Sequence, residues 1–420
     1  MRFNEKWHNG ILALADQMVV SFTSFVTLLL VAKECSQSDV GVFVLLWTII
    51  HFAKTAQERM IGAPYQAFAY RGEFKRPSYR GSVIMHSLVF SLCLGVIAII
   101  ASILTEAFGK IDLGANKFFF TLALVCVVFR EQTRVISTID FQYVQILILD
   151  IALSACQILG LGFLIMNDRL TIGWANLVLG ISCLPIISGW FWFNSNRLEF
   201  QWPQSLVDWK GNWTYSKWLI LARVFGILPF LGMPWLIWAF LGNEDAGAYG
   251  VCSSLVGISL MFVNGVNNMF QPLTIREMHE KGLRAMLSTL FESILVVVSV
   301  LTVFSIAILF FSGEVLTIYG KQYPTYRWLC FLMSISVCCV SISTLLGNGL
   351  AALGVSKGYF WGEIACFTAA FVSACILLPL LGVNGAAIAT TLGGVAATVV
   401  TAFTLRFRIM SAMTANIPSQ

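Results

Sequence analysis

Charge is what this sequence has least of. Of its 420 residues only 11% are Asp, Glu, Lys or Arg, where soluble globular chains carry about 25%. With 58% hydrophobic residues and a mean hydropathy of +0.81, a soluble fold is excluded and a membrane protein is implied. The formal net charge of +5 includes no basic cluster interleaved with aromatics, so no nucleic-acid partner is expected. A glycine-rich phosphate loop is also missing, which excludes ATP hydrolysis by this chain. The four histidines, His8, His51, His86 and His279, share no ligand spacing with the 11 cysteines. Neither a metal nor any other cofactor is therefore implied. Most cysteines, including Cys93, Cys126, Cys183, Cys338 and Cys339, lie inside apolar runs and act there as small apolar side chains, with no disulfide framework.

What the sequence does have is long apolar runs, at 11–32, 40–61, 81–108, 118–138, 142–166, 172–193, 216–241, 247–270, 285–311, 325–346, 358–381 and 385–405. Each is long enough to cross a hydrocarbon core of ~30 Å as a helix, so the fold class is an all-α integral membrane protein of twelve transmembrane helices. The first run is too long for a cleaved signal peptide and is expected to remain as a helix. The segments that alternate with the N-terminus carry seventeen Lys and Arg, among them Arg71, Lys75, Arg76 and Arg80 in one loop, against six on the other side. By the positive-inside rule both termini are cytoplasmic.

A weak internal repeat organises the runs. The stretch "DVGVF" at 39–43 matches "DAGAY" at 245–249, and Pro64 matches Pro272 at nearly the same offset. The repeat predicts two six-helix halves related by pseudo-two-fold symmetry, the parallel-repeat arrangement of many transporters. The corresponding domains are 1–200, a cytoplasmic linker at 201–215, and 216–420.

The few charges inside the apolar runs are the candidate functional residues, because a charge in the bilayer core costs about 2.5–3.5 kcal/mol on insertion scales and normally faces a partner or a water-filled cavity. Asp16 stands near the start of the first run, and the repeat offset lands Arg223 on the equivalent place in the seventh. Trp47, His51, Lys54 and Glu58 recur at helical spacing on one face, with Arg59 beside them. Arg130 and Arg134 are one turn apart, Asp150 heads a stripe with Ser154 and Gln157, and Glu363 lies about a turn inside the eleventh run. Asn264, Asn268 and Gln271 form a further polar stripe. Together these residues predict a hydrated, cation-lined cavity. Asp16 is expected to pair with Arg223, and Asp16, Glu58, Asp150 and Glu363 are the candidates for ion coupling or gating. Pro229 and Pro234 are the candidate hinge, since each removes a backbone donor.

The helix 1 pattern "ADQMVVSFTSFVTLLLVAKECSQSDVGVFVLLWTI", the proline at "APYQAF" and the basic loop "YRGEFKRPSYRG" resemble the Wzx-type polysaccharide flippases of the multidrug/oligosaccharidyl-lipid/polysaccharide exporter superfamily. The resemblance implies a bacterial inner-membrane protein that moves an undecaprenyl-pyrophosphate-linked oligosaccharide from the cytoplasmic to the outer leaflet by alternating access. It implies that Lys54, Arg59, Arg130, Arg134 and Arg223 meet the pyrophosphate or acidic sugars. The partners would be the lipid-linked sugar, the membrane lipids and H+ or Na+ as coupling ion. A multidrug exporter of the same superfamily is the alternative; it would share Asp16 but prefer an anionic pocket. A membrane-embedded glycosyltransferase or polymerase would need a large outward loop with paired acids, and "GKIDLGANK" and "SGEVLTIYGKQYPTYR" hold no such constellation, so no enzyme is expected.

Overall fold

A computed structural model describes residues 3–69, 77–107, 116–353 and 355–415. Arg71, Lys75 and Arg76 of the basic loop, most of the loop at 109–117 and both chain ends lie outside the described residues. Among the described residues the chain is all helical, with no strand. The helices are α1 (Phe3–Glu34), α2 (Gln37–Gln57), α3 (Ala63–Phe68), α4 (Pro77–Ala107), α5 (Asn116–Ile139), α6 (Tyr143–Met166) and α7 (Ile172–Asn194). There follow α8 (Trp202–Leu231), α9 (Met233–Leu241), α10 (Asn243–Lys281), α11 (Leu283–Thr317), α12 (Arg327–Ala352), α13 (Ser356–Leu381) and α14 (Val383–Ala415).

Ten of these stretches are long and apolar enough to cross a membrane, and eleven if the bent α8 is counted as one span. This is a multi-pass membrane protein. The difference from twelve lies in α5. That helix has 24 residues, or ~36 Å of length, but Lys117, Arg130, Glu131 and Arg134 hold its hydropathy below that of its neighbours. Outward-facing side chains elsewhere are apolar: Leu88, Leu92, Val96 and Ile100 of α4 and Val303, Phe310 and Phe311 of α11 are exposed, as lipid contact requires.

The chain divides into two compact units, one of residues 1–39 and 46–224, the other of 40–45 and 225–420. Within the first, α1 packs on α6, α4 on α5, α5 on α7 and α6 on α7. Within the second, the helices occupying the same serial places pair in the same way: α9 with α13, α11 with α12, α12 with α14 and α13 with α14. The two units thus share one topology. The stretch expected as a linker, 201–215, is helical and forms the first half of α8.

Local chemistry sets several boundaries. Ser36 caps α2: its hydroxyl accepts from the Asp39 backbone N–H at 3.2 Å and donates to the Asp39 carboxylate at 2.7 Å, which satisfies helix-start donors and places an acid at the positive end of the dipole. Thr171 caps α7 in the same manner. Between α2 and α3 the backbone widens into a π-turn over Glu58–Gly62. Pro64 follows two residues later and cannot donate to an ordinary α-helical ladder. The first unit's core is Ile61, Tyr65, Tyr79, Val83, Phe129, Ile136 and Trp190, with the Trp190 indole donating to Ser137 Oγ at 2.7 Å. In the second, Val263, Val297, Leu301 and Leu345 form one cluster and Leu290, Leu350 and Leu405 another.

Candidate functional site

Four helices of the first unit bring six ionisable side chains together: Asp16 from α1, Lys54 from α2, Arg130, Glu131 and Arg134 from α5, and Asp150 from α6. The spacing of α5 explains its share, because residues one turn apart project from one face. Lys54 Nζ meets Glu131 Oε2 at 2.8 Å, and Arg134 meets Glu131 Oε1 at 3.5 Å and Asp150 Oδ2 at 3.1 Å. Arg130 pairs with Asp150 and reaches Glu131 at 3.7 Å. Arg134 also donates to Asp16. Asp16 and Arg130 are each 5% exposed and Asp150 is 2% exposed.

Three acids face three bases, so the cluster is electrically neutral. Neutrality is what lets it persist at membrane depth: each charge alone would cost a few kcal/mol, and mutual pairing offsets that only if every member finds a partner. Asp16 Oδ1 is buried and accepts no hydrogen bond among the described residues; Glu131 Oε2 and Asp150 Oδ2 also lack one but lie 2.8 Å from Lys54 Nζ and 3.1 Å from Arg134 Nε. Around the ions lie uncharged polar contacts. Thr23 Oγ1 donates to Ser154 Oγ at 2.6 Å, tying α1 to α6. Gln57 Nε2 donates to Ser87 Oγ at 2.6 Å and to Gln132 Oε1 at 3.3 Å. His51 sits edge-on to Trp47, with ring centroids 5.2 Å apart.

Lys54, Arg130, Arg134, Asp16 and Asp150 are therefore gathered in one network. The pairing expected for Asp16 is corrected: its partner is Arg134, on α5 of the same unit, and Arg223 is exposed on α8 with no ion pair among the described residues. A repeat offset establishes equivalence of position, not contact. Glu131 went unrecognised in the sequence because it sits between two arginines and reads as part of an ordinary charged helix end. Its i,i+3 relation to Arg134 was the available signal.

Arg59 and Glu58 lie apart from the network, on the π-turn, paired with each other at 3.3 Å, Glu58 exposed and Arg59 half-buried; Arg59 Nε is buried without a hydrogen-bond partner. Elsewhere in the same unit Arg80 binds Asp140 at 2.7 Å and Tyr65 Oη at 3.2 Å. Burial pushes the Asp140 carboxyl up from its ordinary range, and Arg80 opposes that.

In the second unit Glu363 is the eighth residue of α13, as Asp150 is the eighth of α6. Glu363 has no ion pair among the described residues. It lies against α8 where Gly226 has no side chain, so close that a β-carbon there would be 2.8 Å from Oε2. Asn264 and Gln271 are exposed, and the polar link of α10 to α12 is instead made by Asn348, which donates to Asn267 at 2.8 Å. Pro229 lies inside α8 and Pro234 in the first turn of α9, flanking the break at Gly232. The 46° bend of α8 lies before both, between Lys217 and Leu219.

No family model and no curated protein matches this sequence. Solved structures do match. A multidrug resistance MATE family transporter of the MOP superfamily, in an inward-facing conformation, superposes with a TM-score of 0.74 at 12% identity, covering 97% of this chain and 99% of that one. The fold is that of the MOP-superfamily transporters. The lipid II flippase MurJ, in an inward closed conformation, matches with a TM-score of 0.74 at 11% identity, over 94% of this chain and 87% of that one. A MOP-superfamily transporter from Pyrococcus furiosus, described by a binding pocket of reverse polarity that suggests a different function, matches at 0.66 with 14% identity, over 96% of this chain and 94% of that one. The MOP fold thus accommodates both a drug exporter and a lipid flippase.

Proposed function

We propose that the chain is an alternating-access carrier that flips a lipid-linked saccharide, an undecaprenyl-pyrophosphate-type precursor, from the cytoplasmic to the outer leaflet, and that proton binding at the α1–α5–α6 network biases its two states. The observation that carries this reading is the buried six-residue network of three acids and three bases, in which Asp16 Oδ1 accepts no hydrogen bond, in a chain with the MOP fold. A bound proton would weaken the hold of Arg134 on Asp16 and release the guanidinium for another anion. A ligand shifts a two-state equilibrium only by its differential affinity for the states, and exchange of a carboxylate partner for a phosphate supplies such a difference. A metal cation finds no net negative charge in a neutral cluster, whereas a proton needs only the Asp16 oxygen; this favours H+ over Na+ as the coupling ion.

The network narrows which cations meet the substrate. Lys54, Arg130 and Arg134 are occupied by acids, and of these only Arg134 would be freed by protonation of Asp16. Arg59, whose exposed pairing to Glu58 is weak, and Arg223 are the groups with guanidinium donors to spare, and a planar fork of donors suits phosphate oxygens. Neutralisation of the other three also favours the second reading, a cation-coupled multidrug exporter.

The test is transport in proteoliposomes. A fluorescent undecaprenyl-pyrophosphate-linked sugar should become protected from an external quencher faster with the protein than without it, and Arg223→Ala should lose most of that gain, with Arg223→Lys partly restoring it. If the lipid-linked sugar does not move while an organic cation is driven out by a pH gradient, the exporter reading replaces this one.

A further inference from the structure

The first half of α8, Trp202–Lys217, is built inside out. Ser205, Asp208, Asn212 and Ser216 recur at three- and four-residue spacing and are all buried, whereas Trp202, Leu206, Val207 and Trp213 are 58, 53, 62 and 45% exposed. Part of the polar face is bonded to α4, while Asn212 Nδ2 and Ser216 Oγ are buried without a hydrogen-bond partner among the described residues. Ser82 Oγ donates to Asp208 Oδ2 at 2.7 Å, Tyr79 Oη donates to Asn212 Oδ1 at 2.9 Å, and His86 Nε2 lies 2.8 Å from the Ser205 carbonyl. The chain entering this segment is seated just as firmly, because Gly81 lets the Glu199 carbonyl approach so closely that any side chain there would collide with it.

An apolar stripe turned outward makes no sense in water. On a helical wheel Trp202, Leu206 and Trp213 share one side with the exposed Lys210 and Lys217 next to them, while Trp209 turns inward, its ring 5.1 Å from that of His86. Apolar side chains and tryptophans bordered by lysine are the signature of a helix lying in the headgroup layer, with the rings at the boundary and the lysine stems reaching to the phosphates. The segment is not needed to span the bilayer: from Leu219 through Leu241 the helix already measures ~34 Å. It packs on the first three turns of α4, and its Tyr215 meets Phe68 of α3 with ring centroids 5.2 Å apart, at the end that the basic-residue asymmetry assigns to the cytoplasm. Its 46° bend from the remainder of α8 fits a change from lying along the surface to crossing.

We propose that Trp202–Lys217 is a membrane-surface helix that docks into the cytoplasmic headgroup layer and binds anionic phospholipid through Lys210 and Lys217. The occupant is argued from charge: both lysines are exposed without an ion pair among the described residues, and the one acid within the segment, Asp208, is buried on the opposite face. This site is separate from the transport network.

The experiment uses the full chain in nanodiscs of phosphatidylcholine alone or mixed with phosphatidylglycerol. Leu206 is replaced by p-acetylphenylalanine carrying a nitroxide, which leaves the native cysteines untouched. Relaxation by oxygen should exceed relaxation by a water-soluble nickel chelate, and the oxygen advantage should rise severalfold with phosphatidylglycerol. The Lys210→Gln, Lys217→Gln pair, whose side chains hold nothing in the fold, should abolish that rise while the protein elutes as before in size exclusion. Nickel dominance in both lipids would overturn the proposal, as would an oxygen advantage in the unsubstituted protein that does not respond to phosphatidylglycerol. Shielding from both reagents that appears only in native membranes would mean that a protein covers the face, and would overturn it as well.

Discussion

The two units share a topology and differ in how they use charge. In the first, α5 carries Arg130, Glu131 and Arg134, and these bind acids on α1 and α6 and the lysine of α2. In the second, the helix in the same serial place, α12, carries Ser341, Ser343 and Thr344 at that depth; Ser343 faces Thr401 at 3.5 Å and Thr344 Oγ1 donates to its own helix at 3.1 Å. The acid that survives the repeat, Asp150 in one unit and Glu363 in the other, is doubly paired in the first and has no ion partner among the described residues in the second. One scaffold thus supports a closed ionic network and a nearly uncharged packing. The charges are therefore not required by the fold, and their presence in the first unit points to a task.

Removing a cation from the network should have the largest effect. Arg130→Met leaves Asp150 buried with one partner fewer, and breaking a buried pair in this way costs about 3–5 kcal/mol. The thermal midpoint of the purified protein should fall markedly, whereas Glu363→Gln, the equivalent acid of the second unit, should leave it almost unchanged. Equal falls would erase the contrast between the units. A smaller effect is expected at Gly226→Ala. The new methyl meets the far end of Glu363, 2.8 Å away, and a flexible carboxylate can swing aside, so the loss should stay below about 1 kcal/mol while the environment of Glu363 changes. Infrared difference spectra of the carboxyl stretch, with Glu363→Gln as reference, would report that change. The smallest effect belongs to Glu58→Gln. Its pair with Arg59 is solvent-facing and sequence-adjacent, which is worth about 0–1 kcal/mol, so the midpoint should not move measurably.

Much of this arrangement was legible in the sequence, and the failures have physical causes. Length and hydropathy identify the spans most clearly where lipid contact dictates composition, as in α4 and α11; α5 is legible as the apolar run at 118–138, although Lys117, Arg130, Glu131 and Arg134 lower its hydropathy. Helical spacing identifies Lys54, Arg130, Arg134 and Asp150 as inward-facing, because periodicity reports direction. It does not report which partner lies opposite, and Asp16 accordingly has Arg134 rather than Arg223 as its partner. The stretch 201–215 reads as a polar linker from its letters alone. Ser205, Asp208 and Asn212 are buried while Trp202, Leu206, Val207 and Trp213 are exposed, an inversion visible only once the neighbouring helix is in place.

The central claim is that the first unit's network, through Asp16, is the proton-sensitive element. The most direct measurement is the initial rate of lipid-linked sugar flipping in proteoliposomes as a function of an imposed pH gradient, for the unsubstituted protein, Asp16→Asn and Glu363→Gln. The account predicts that the unsubstituted protein and Glu363→Gln respond to the gradient and that Asp16→Asn flips at a rate indifferent to it, because the amide cannot take up a proton. An undiminished response in Asp16→Asn together with its loss in Glu363→Gln would contradict the account and move the proton-sensitive element to the second unit.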